Sequence, residues 1–149
     1  VGAVDKQLHA LKAEDGSEVW ARPLGHWVWG EALVQDGYVY AGSLDGRIHA
    51  LQVSDGTLRW ESEKLEGAVR AGPVLLGDQL IVGTDSGSIY RIALDSGRST
   101  LLFKASAGVL SRPAIEDGRI YIGTTMGEVV ALDASGATAS QVWVYPAKK

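Results

Sequence analysis

The sequence predicts an all-β protein, a β-propeller of four-stranded antiparallel blades, of which the 149 residues supply about three and a half. Three observations indicate this fold: a repeat of about 40 residues, Asp-Gly turn signals at short intervals, and a tryptophan at a fixed place in the repeat. We expect one propeller segment over residues 1–149, with repeat units at approximately 1–23 (a partial blade), 24–65, 66–106 and 107–145.

Two columns of glycine set the register of the repeat. The first column contains Gly2, Gly42, Gly83 and Gly123. The second contains Gly16, Gly56 and Gly97, joined by Gly136 after a one-residue deletion. A period of this length, kept along the whole chain, is typical of folds in which each repeat is one supersecondary unit stacked on the next.

Within each unit, turn signals separate short runs of strand-forming residues. Asp-Gly favours two-residue hairpins because a type I′ turn needs positive φ at both central positions, and the second unit has three such pairs, Asp36-Gly37, Asp45-Gly46 and Asp55-Gly56. The runs between them, such as YVYAGSL and RIHALQV, are rich in Val, Ile, Leu and Tyr and too short for helices. Each unit is therefore predicted to be a meander of four strands, apolar on both faces, which radial stacking of sheets would cover.

Composition excludes several classes of function. A net charge of −4 without a basic stripe argues against nucleic acid as a partner. The absence of cysteine excludes a disulfide, a thiolate nucleophile, a Cys-ligated zinc site and a covalently attached haem within this chain. No apolar run approaches a membrane span and no signal peptide is recognisable; the chain starts at Val1 and its only methionine is Met126, so we expect a processed or trimmed product. Phosphate loops, G-x-S-x-G and H-E-x-x-H motifs are also missing.

Large residues recur in the last strand of each unit. Trp20 and Trp60 lie four residues after the turn glycine, Leu101 takes this position in the third unit, and Trp143 lies slightly beyond it in the fourth. Burial of a tryptophan removes about 150–250 Å² from water, which stabilises by roughly 4–6 kcal/mol. We therefore predict that these four residues are structural docking residues between neighbouring sheets rather than ligand contacts.

The tryptophan pattern resembles a known family. Ala-x-x-x-x-x-Gly-x-x-x-Trp, preceded by an Asp-Gly hairpin, appears as ALKAEDGSEVW from Ala10 and ALQVSDGTLRW from Ala50, and resembles the tryptophan-docking motif of the PQQ-like (quinoprotein-type) repeat family. The fourth unit keeps ALDASG from Ala131, whereas the third has Arg91 for Ala and Leu101 for Trp. The resemblance covers nearly the whole chain and implies a ring of usually about seven or eight blades.

The resemblance leaves several functions open. The family includes quinoprotein dehydrogenases, an outer-membrane assembly scaffold and extracytoplasmic sensor domains of kinases. It favours an extracytoplasmic, periplasmic location. In the large quinoprotein alcohol dehydrogenases it would imply Ca²⁺ held by a Glu and an Asn, an Asp base, and often a vicinal disulfide. This chain has neither Asn nor Cys, so we expect no cofactor, with PQQ retained only for the enzymatic alternative.

The histidines do not predict a metal site. His9 and His49 share a repeat position with Tyr90 and Val130, which is typical of a packing position rather than of a ligand. His26 differs, because it stands in the stretch GHWVWGEALV beside two tryptophans outside the docking column. It is either a structural residue or part of a small aromatic and cationic surface suited to binding.

Equivalent stretches in the next two units are GAVRAGPVLL and AGVLSRPAIE. The resemblance places this strand innermost, lining a central channel, and the prolines fit because an innermost strand is a sheet edge. The candidate channel-facing or ligand-facing residues are His26, Trp27, Trp29, Arg70 and Arg112. Two interpretations of the arginines stay open: they bind a carboxylate or phosphate, or they pair with acids of the chain such as Glu31 and Glu116.

A partial ring leaves the sides of its terminal blades bare and a strand edge unpaired. The chain is then a fragment of a longer propeller, half of a homodimer that completes the ring, or a small closed four-bladed ring. The predicted function is a non-catalytic binding or scaffolding module that contacts proteins or peptides, or acts in sensing. The alternative is a fragment of a PQQ-dependent dehydrogenase whose cofactor site lies largely outside this chain.

Overall fold

A computed structural model describes residues 1–146 of the chain, so the end of the predicted 1–149 segment, residues 147–149, lies outside the described residues. The described residues form fourteen β-strands in four antiparallel sheets and no helix, which confirms the all-β prediction. We refer to the sheets as blades 1 to 4 in chain order.

Blade 1 has two strands, β1 (Gln7–Leu11) and β2 (Glu18–Pro23). Blade 2 contains β3 (Leu33–Gln35), β4 (Tyr38–Gly42), β5 (Ile48–Gln52) and β6 (Leu58–Glu61). Blade 3 contains β7 (Val74–Leu76), β8 (Gln79–Gly83), β9 (Ser88–Ala93) and β10 (Ser99–Lys104). Blade 4 contains β11 (Ala114–Glu116), β12 (Arg119–Gly123), β13 (Val129–Asp133) and β14 (Ser140–Tyr145). Each four-stranded blade is a meander, with neighbours in the sheet following the chain order.

Two kinds of turn join the strands of a blade. The hairpin between β3 and β4 has positive φ at both Asp36 (50°) and Gly37 (80°), as a type I′ turn requires. Only the glycine has positive φ in the other two predicted turns, Asp45-Gly46 and Asp55-Gly56. The type I′ prediction is wrong for these two pairs, because the aspartate instead accepts a hydrogen bond from the N–H two residues further on, as Asp55 does from Thr57 at 2.8 Å.

Neighbouring blades are held together by apolar side chains from facing sheets. Successive residues of a strand point to opposite faces. In β4, Val39 and Ala41 join the cluster shared with blade 1, whereas Tyr40 joins the cluster shared with blade 3. This explains why the strands are apolar on both faces: each blade has a neighbour on either side.

Trp60 makes the central contact between blades 2 and 3. Its indole is only 8% exposed and its Nε1–H donates to the carbonyl oxygen of Leu94 at 2.9 Å. The ring lies so close to Gly97 that a Cβ there would be 2.4 Å from it. Within blade 2, Trp60 pairs across the strands with Ala50 and its ring centroid lies 5.7 Å from that of Tyr40. The alanine leaves room for the indole, and the glycine lets it reach the next blade.

The same contact joins blades 1 and 2. Trp20, also 8% exposed, donates from Nε1 to the carbonyl oxygen of Val53 at 2.8 Å, and its ring covers Gly56. Arg22 reinforces the junction by donating from Nε to the carbonyl oxygen of Gly56 at 3.0 Å.

Between blades 3 and 4 an arginine makes the corresponding bonds. Leu101 is 46% exposed and does not take the buried place that Trp20 and Trp60 occupy. Arg91, on the neighbouring strand β9, donates instead to the carbonyl oxygens of Ala134 and Gly136. Ala134 occupies the repeat position of the two tryptophan acceptors. Arg91 pairs with Thr100 in the sheet, so the long side chain has moved from the last strand to the one before it.

Trp143 occupies the docking position at the end of the series. It pairs with Ala131 in the sheet and its ring lies tilted against that of Tyr121, with centroids 5.9 Å apart, but it is 42% exposed because no blade follows among the described residues.

Trp60→Ala should lower the free energy of unfolding by about 3–5 kcal/mol, because it leaves a cavity between two blades and an acceptor without its donor. Urea denaturation followed by far-ultraviolet circular dichroism measures this loss. Leu58→Ala is the matched control, since Leu58 lies in the same strand and is 53% exposed; it should change stability by less than about 0.5 kcal/mol. A loss below about 1 kcal/mol for Trp60→Ala would contradict the docking role.

Candidate functional site

The segments that precede the innermost strands carry the candidate residues. Each segment is fixed to the preceding blade by a buried valine whose backbone N–H donates across the junction. These bonds run from Val28 to Ala3, from Val69 to Ser43 and from Val109 to Thr84. Residues next to these valines are therefore presented in the same way by three successive junctions.

One concave site forms where these segments meet. Trp29, Arg70 and Leu110, which occupy the same repeat position in three successive units, line it together with Asp85. We call these four residues the inner cleft. It encloses about 450 Å³. Trp29 and Leu110 are about half exposed, at 52% and 48%, so the cleft offers apolar surface to solvent.

Arg70 is held in the inner cleft from two sides. Its guanidinium carbon lies 5.2 Å from the ring centroid of Trp29, within the range of a cation–π contact. Its Nε lies 3.2 Å from Oδ2 of Asp85, whose Oδ1 accepts the backbone N–H of Ala68 at 2.8 Å. Only Nε takes part in the bond to Asp85, so the terminal nitrogens of the guanidinium retain donors for a ligand. The site therefore combines a fixed cation with an exposed aromatic face.

Trp27 extends the aromatic surface beyond the inner cleft. Its ring stacks on Trp29 with centroids 6.0 Å apart and planes 23° apart, and 39% of the residue is exposed. His26 packs edge-on against Trp27 at 5.6 Å, and its Nδ1 accepts the backbone N–H of Trp27 at 2.8 Å. A neutral imidazole with Nδ1 accepting carries its proton on Nε2. His26 thus orients Trp27, and the two tryptophans form a platform.

Arg112 lies outside the inner cleft. Its Nη1 is 2.7 Å from Oε2 of Glu31, and both side chains are exposed, at 42% and 76%. The pair bridges blades 2 and 4 across Gly72, where a Cβ would be 2.1 Å from the carbonyl oxygen of Glu31. Of the two interpretations of this arginine, the structure shows the pairing with an acid of the chain. An exposed pair of this kind contributes at most about 1 kcal/mol.

Sequence reasoning missed two members of the cleft. These are Asp85, which lies in a turn two residues before Gly87, and Leu110, which lies two residues before the candidate Arg112. The column that contains Trp29 and Arg70 already identifies Leu110, since the same repeat spacing leads to it. Asp85 gave no such signal, because its role depends on its contacts with Arg70 and with the backbone N–H of Ala68, which only the structure shows.

Residues 1–146 contain no group of three or more His, Cys, Asp or Glu side chains placed to hold a metal ion, and the chain has no asparagine. Over the same residues, no helix is long and apolar enough to cross a membrane.

Stacked four-stranded blades joined by docked tryptophans define the chain as a β-propeller of repeated units. The family model described as outer membrane protein assembly factor BamB matches residues 1–100 and 45–149. The chain therefore belongs to this family of PQQ-like repeat proteins, and the resemblance read from the docking motif is confirmed.

Individual relatives agree with this assignment. The outer membrane protein assembly factor BamB of Salmonella typhimurium is 27% identical over 131 residues, which cover 87% of this chain and 33% of the relative. The crystal structure of BamB from Moraxella catarrhalis superposes with a TM-score of 0.76 at 24% identity, covering 96% of this chain and 44% of that one. The chain thus spans a third of the length of the curated relative.

Two computationally designed proteins share the fold. Ika8 superposes with a TM-score of 0.82 at 15% identity, covering 99% of this chain and 45% of that one. Ika4 gives a TM-score of 0.73 at 19% identity, covering 87% of this chain and 81% of that one. Together with the BamB structure, these likenesses confirm the predicted propeller fold.

Two histidines at the same repeat position have opposite titration behaviour. His49 is 3% exposed, and burial lowers its pKa although Glu61 lies 3.4 Å from its Nδ1; its Nε2 has no hydrogen-bond partner among the described residues. Hydrogen bonds to Glu18 at 3.0 Å and to Asp5 at 2.8 Å raise the pKa of His9.

His49→Val should reduce the loss of stability on acidification. Because burial lowers the folded-state pKa of His49, the unfolded chain binds the proton first. The contribution of His49 to stability is therefore present above its unfolded-state pKa of about 6.5 and is lost as the pH falls towards the folded-state pKa. One proton accounts for at most about 1.4 kcal/mol per pH unit. Valine fits because Val130 fills the equivalent place at 3% exposure. Urea denaturation midpoints between pH 7.5 and 5.5 measure how steeply stability changes with pH, since this range contains the unfolded-state pKa of histidine.

His9→Val is the control of opposite sign. Because the pKa of His9 is raised in the folded state, its contribution to stability is present below pH 6.5 and is lost as the pH rises through the folded-state pKa. Removal of His9 should therefore deepen the loss of stability on acidification. Equal slopes for the wild type and His49→Val would contradict the burial of a neutral His49.

Proposed function

We propose that this chain is a non-catalytic, protein-binding module that acts outside the cytoplasm in the assembly of outer membrane proteins. Membership of the family and the likeness to proteins named outer membrane protein assembly factor support the setting. The inner cleft and the platform formed by Trp27 and Trp29 support the mode of action, since this surface joins exposed aromatic rings to a fixed arginine.

The observation that carries the proposal is the pair of exposed, stacked tryptophans beside an immobilised arginine. Tryptophan and arginine are the residues most enriched at the energetic centres of protein interfaces. Trp29 contacts both Trp27 and Arg70, so little side-chain entropy is lost when a partner covers it. An exposed aromatic surface of this composition on a rigid scaffold is typical of a site that binds another protein.

The chemistry of the surface indicates an extended peptide as the ligand. The cleft accepts an aromatic or aliphatic side chain against Trp29 and Leu110, and the guanidinium of Arg70 offers donors to a main-chain carbonyl beside it. Strands destined for an outer membrane barrel alternate apolar and polar residues over about ten positions. Such a strand, before it is paired in a barrel, presents apolar side chains and unpaired carbonyls together.

Trp29→Ala should weaken the binding of such a peptide by about tenfold or more, because the change removes the face that both Trp27 and Arg70 support. The probe is a fluorescein-labelled peptide of about ten residues in which Phe or Tyr alternates with Thr or Ser, titrated by fluorescence anisotropy. A peptide of the same composition with its aromatic residues in one block should bind more weakly.

Leu58→Ala is the control variant for this experiment, since Leu58 is equally exposed, at 53%, and lies on β6 away from the inner cleft. It should bind the alternating peptide as the wild type does. Equal affinity of Trp29→Ala and wild type, or no preference for the alternating peptide, would contradict the proposed binding surface.

A further inference from the structure

We infer that a second site, on blade 3, binds a carboxylate group that a partner protein presents, with Arg98 as its main contact. The site is a notch of about 290 Å³ beside the hairpin that joins β9 to β10. This volume is just below that of ordinary small-molecule pockets, about 300–1,000 Å³, so the notch admits one side chain rather than a whole peptide. We call it the arginine notch, and its polar residues are Gln79, Arg91, Asp95, Ser96, Arg98 and Thr100.

The arginine notch is separate from the inner cleft. The neighbouring strands β8 and β9 are antiparallel. Asp85 of the inner cleft lies in the loop between these strands, whereas the hairpin of the notch follows β9 and lies at the other end of that strand. The two sites share no residue, so the inference does not depend on the peptide-binding proposal.

In the first two units, a carboxylate of the chain itself occupies the equivalent hairpin. Asp15 accepts the backbone N–H of Ser17 at 2.9 Å, and Asp55 accepts the backbone N–H of Thr57 at 2.8 Å. The hydrogen bond from the N–H of Thr57 lowers the pKa of Asp55. This hairpin therefore stabilises an ionised carboxylate at this place.

The third unit lacks this carboxylate. Ser96 stands at the repeat position of Asp55, and Arg98 stands at that of Thr57. The hairpin has kept its conformation, since the φ of its glycine is 72°, compared with 70° in the second unit. Within residues 1–146, the backbone N–H of Arg98 has no hydrogen-bond acceptor. The hairpin thus offers a carboxylate the donor that the second unit satisfies internally.

Two guanidinium groups add positive charge to this hairpin. No ion pair joins Arg91 or Arg98 to a carboxylate in the described part of the chain. Arg91 donates to two carbonyl oxygens of blade 4, and its buried Nε has no hydrogen-bond partner among the described residues. Arg98 is exposed, and its planar fork can bind both oxygens of a carboxylate.

Space for the ligand comes from two further changes in the repeat. At the equivalent positions of blade 2, Arg59 lies over the ring of Tyr38, with its guanidinium carbon 4.3 Å from the ring centroid. Blade 3 has Gln79 in place of the tyrosine and Thr100 in place of the arginine. Both are smaller and uncharged, so the notch stays open and keeps hydrogen-bonding groups along its wall.

Asp95 favours a carboxylate over a phosphate. Two cations, Arg91 and Arg98, and one anion, Asp95, give the notch a net charge of +1. A carboxylate carries one negative charge, whereas a phosphate group carries about 1.5 to 2 at neutral pH and would be repelled more strongly by Asp95. Gln79 and Thr100 can bond to the main chain beside the carboxylate, which favours a Glu or Asp residue of a partner protein.

An NMR titration of the ¹⁵N-labelled chain of 15.8 kDa tests the inference. The probe is acetyl-Ala-Ala-Glu-Ala-Ala-amide at neutral pH. The signals of the backbone N–H of Arg98 and of the Nε–H groups of Arg91 and Arg98 should shift in a saturable way. The same peptide with Gln in place of Glu should give no saturable shift, because it lacks the charge. Sodium acetate should bind more weakly than the Glu peptide, because it has no main chain to bond to the wall of the notch.

Ser96→Asp should weaken the binding of the Glu peptide by about tenfold or more. The change restores the carboxylate that the second unit has at Asp55, so the chain's own side chain should accept the N–H of Arg98. Ser54→Asp is the matched control, because it adds the same charge to the exposed turn of blade 2, next to Asp55. It should bind the peptide as the wild type does.

Arg98→Gln should also weaken binding by about tenfold or more, because it removes the guanidinium from the notch. Arg59→Gln is its control, since it removes the same charge from blade 2 and should leave the affinity unchanged. Far-ultraviolet circular dichroism spectra like that of the wild type show that the variants are folded.

Several results would overturn the inference. These are the absence of a saturable shift with the Glu peptide, equal binding of the Glu and Gln peptides, and wild-type affinity of Arg98→Gln or Ser96→Asp. Inorganic phosphate that binds more tightly than the Glu peptide would make the notch a phosphate site instead. Acetate that binds as tightly as the Glu peptide would contradict a partner protein as the source of the carboxylate.

Discussion

Two of the three junctions between blades depend on one contact, an indole from the last strand of a unit seated on the turn glycine of the next. A four-stranded sheet with two apolar faces has no stable state of its own in water. The docked tryptophan buries a large part of that surface, and its N–H bonds to a backbone carbonyl fix the angle at which the next blade follows. Glycine is required beneath the ring for two reasons: a Cβ would overlap the indole, and φ is positive. Each blade therefore stabilises its neighbour, and the stability of the protein comes from the contacts between successive blades.

This contact also explains where the inner cleft comes from. Trp29, Arg70 and Leu110 are about 40 residues apart in sequence and no local motif joins them. They meet because successive junctions present the same repeat position at the same depth. A repeat fold of this kind builds a binding surface by changing the residue type along one column, here from aromatic to cationic to aliphatic. The fold thus separates the residues that bind from those that stabilise.

Much of the fold could be predicted from the sequence, since glycine columns, strand-forming runs and spaced tryptophans are local patterns. The role of Arg91 could not be predicted from the sequence. Arg91 lies on β9 rather than on β10, and only the structure shows that its side chain reaches the carbonyl oxygens to which a docked tryptophan would donate. The candidate residues Trp27, Trp29 and Arg70 do come together, whereas Arg112 is held by Glu31. Whether an arginine lies in the cleft or pairs with an acid depends on how neighbouring blades are positioned relative to each other, which the repeat alignment does not show.

Hydrogen exchange of the indole N–H groups, resolved in a ¹⁵N-correlated NMR spectrum, tests the docking contact most directly, because the chain has five tryptophans in contrasting settings. We predict that the indoles of Trp20 and Trp60 exchange only through large-scale unfolding, since each donates to a carbonyl of the next blade. Those of Trp27 and Trp29, which are 39% and 52% exposed, should exchange at rates close to those of an unprotected indole. If the indole N–H of Trp60 exchanged as fast as that of Trp29, the result would contradict the docking of Trp60 between blades 2 and 3.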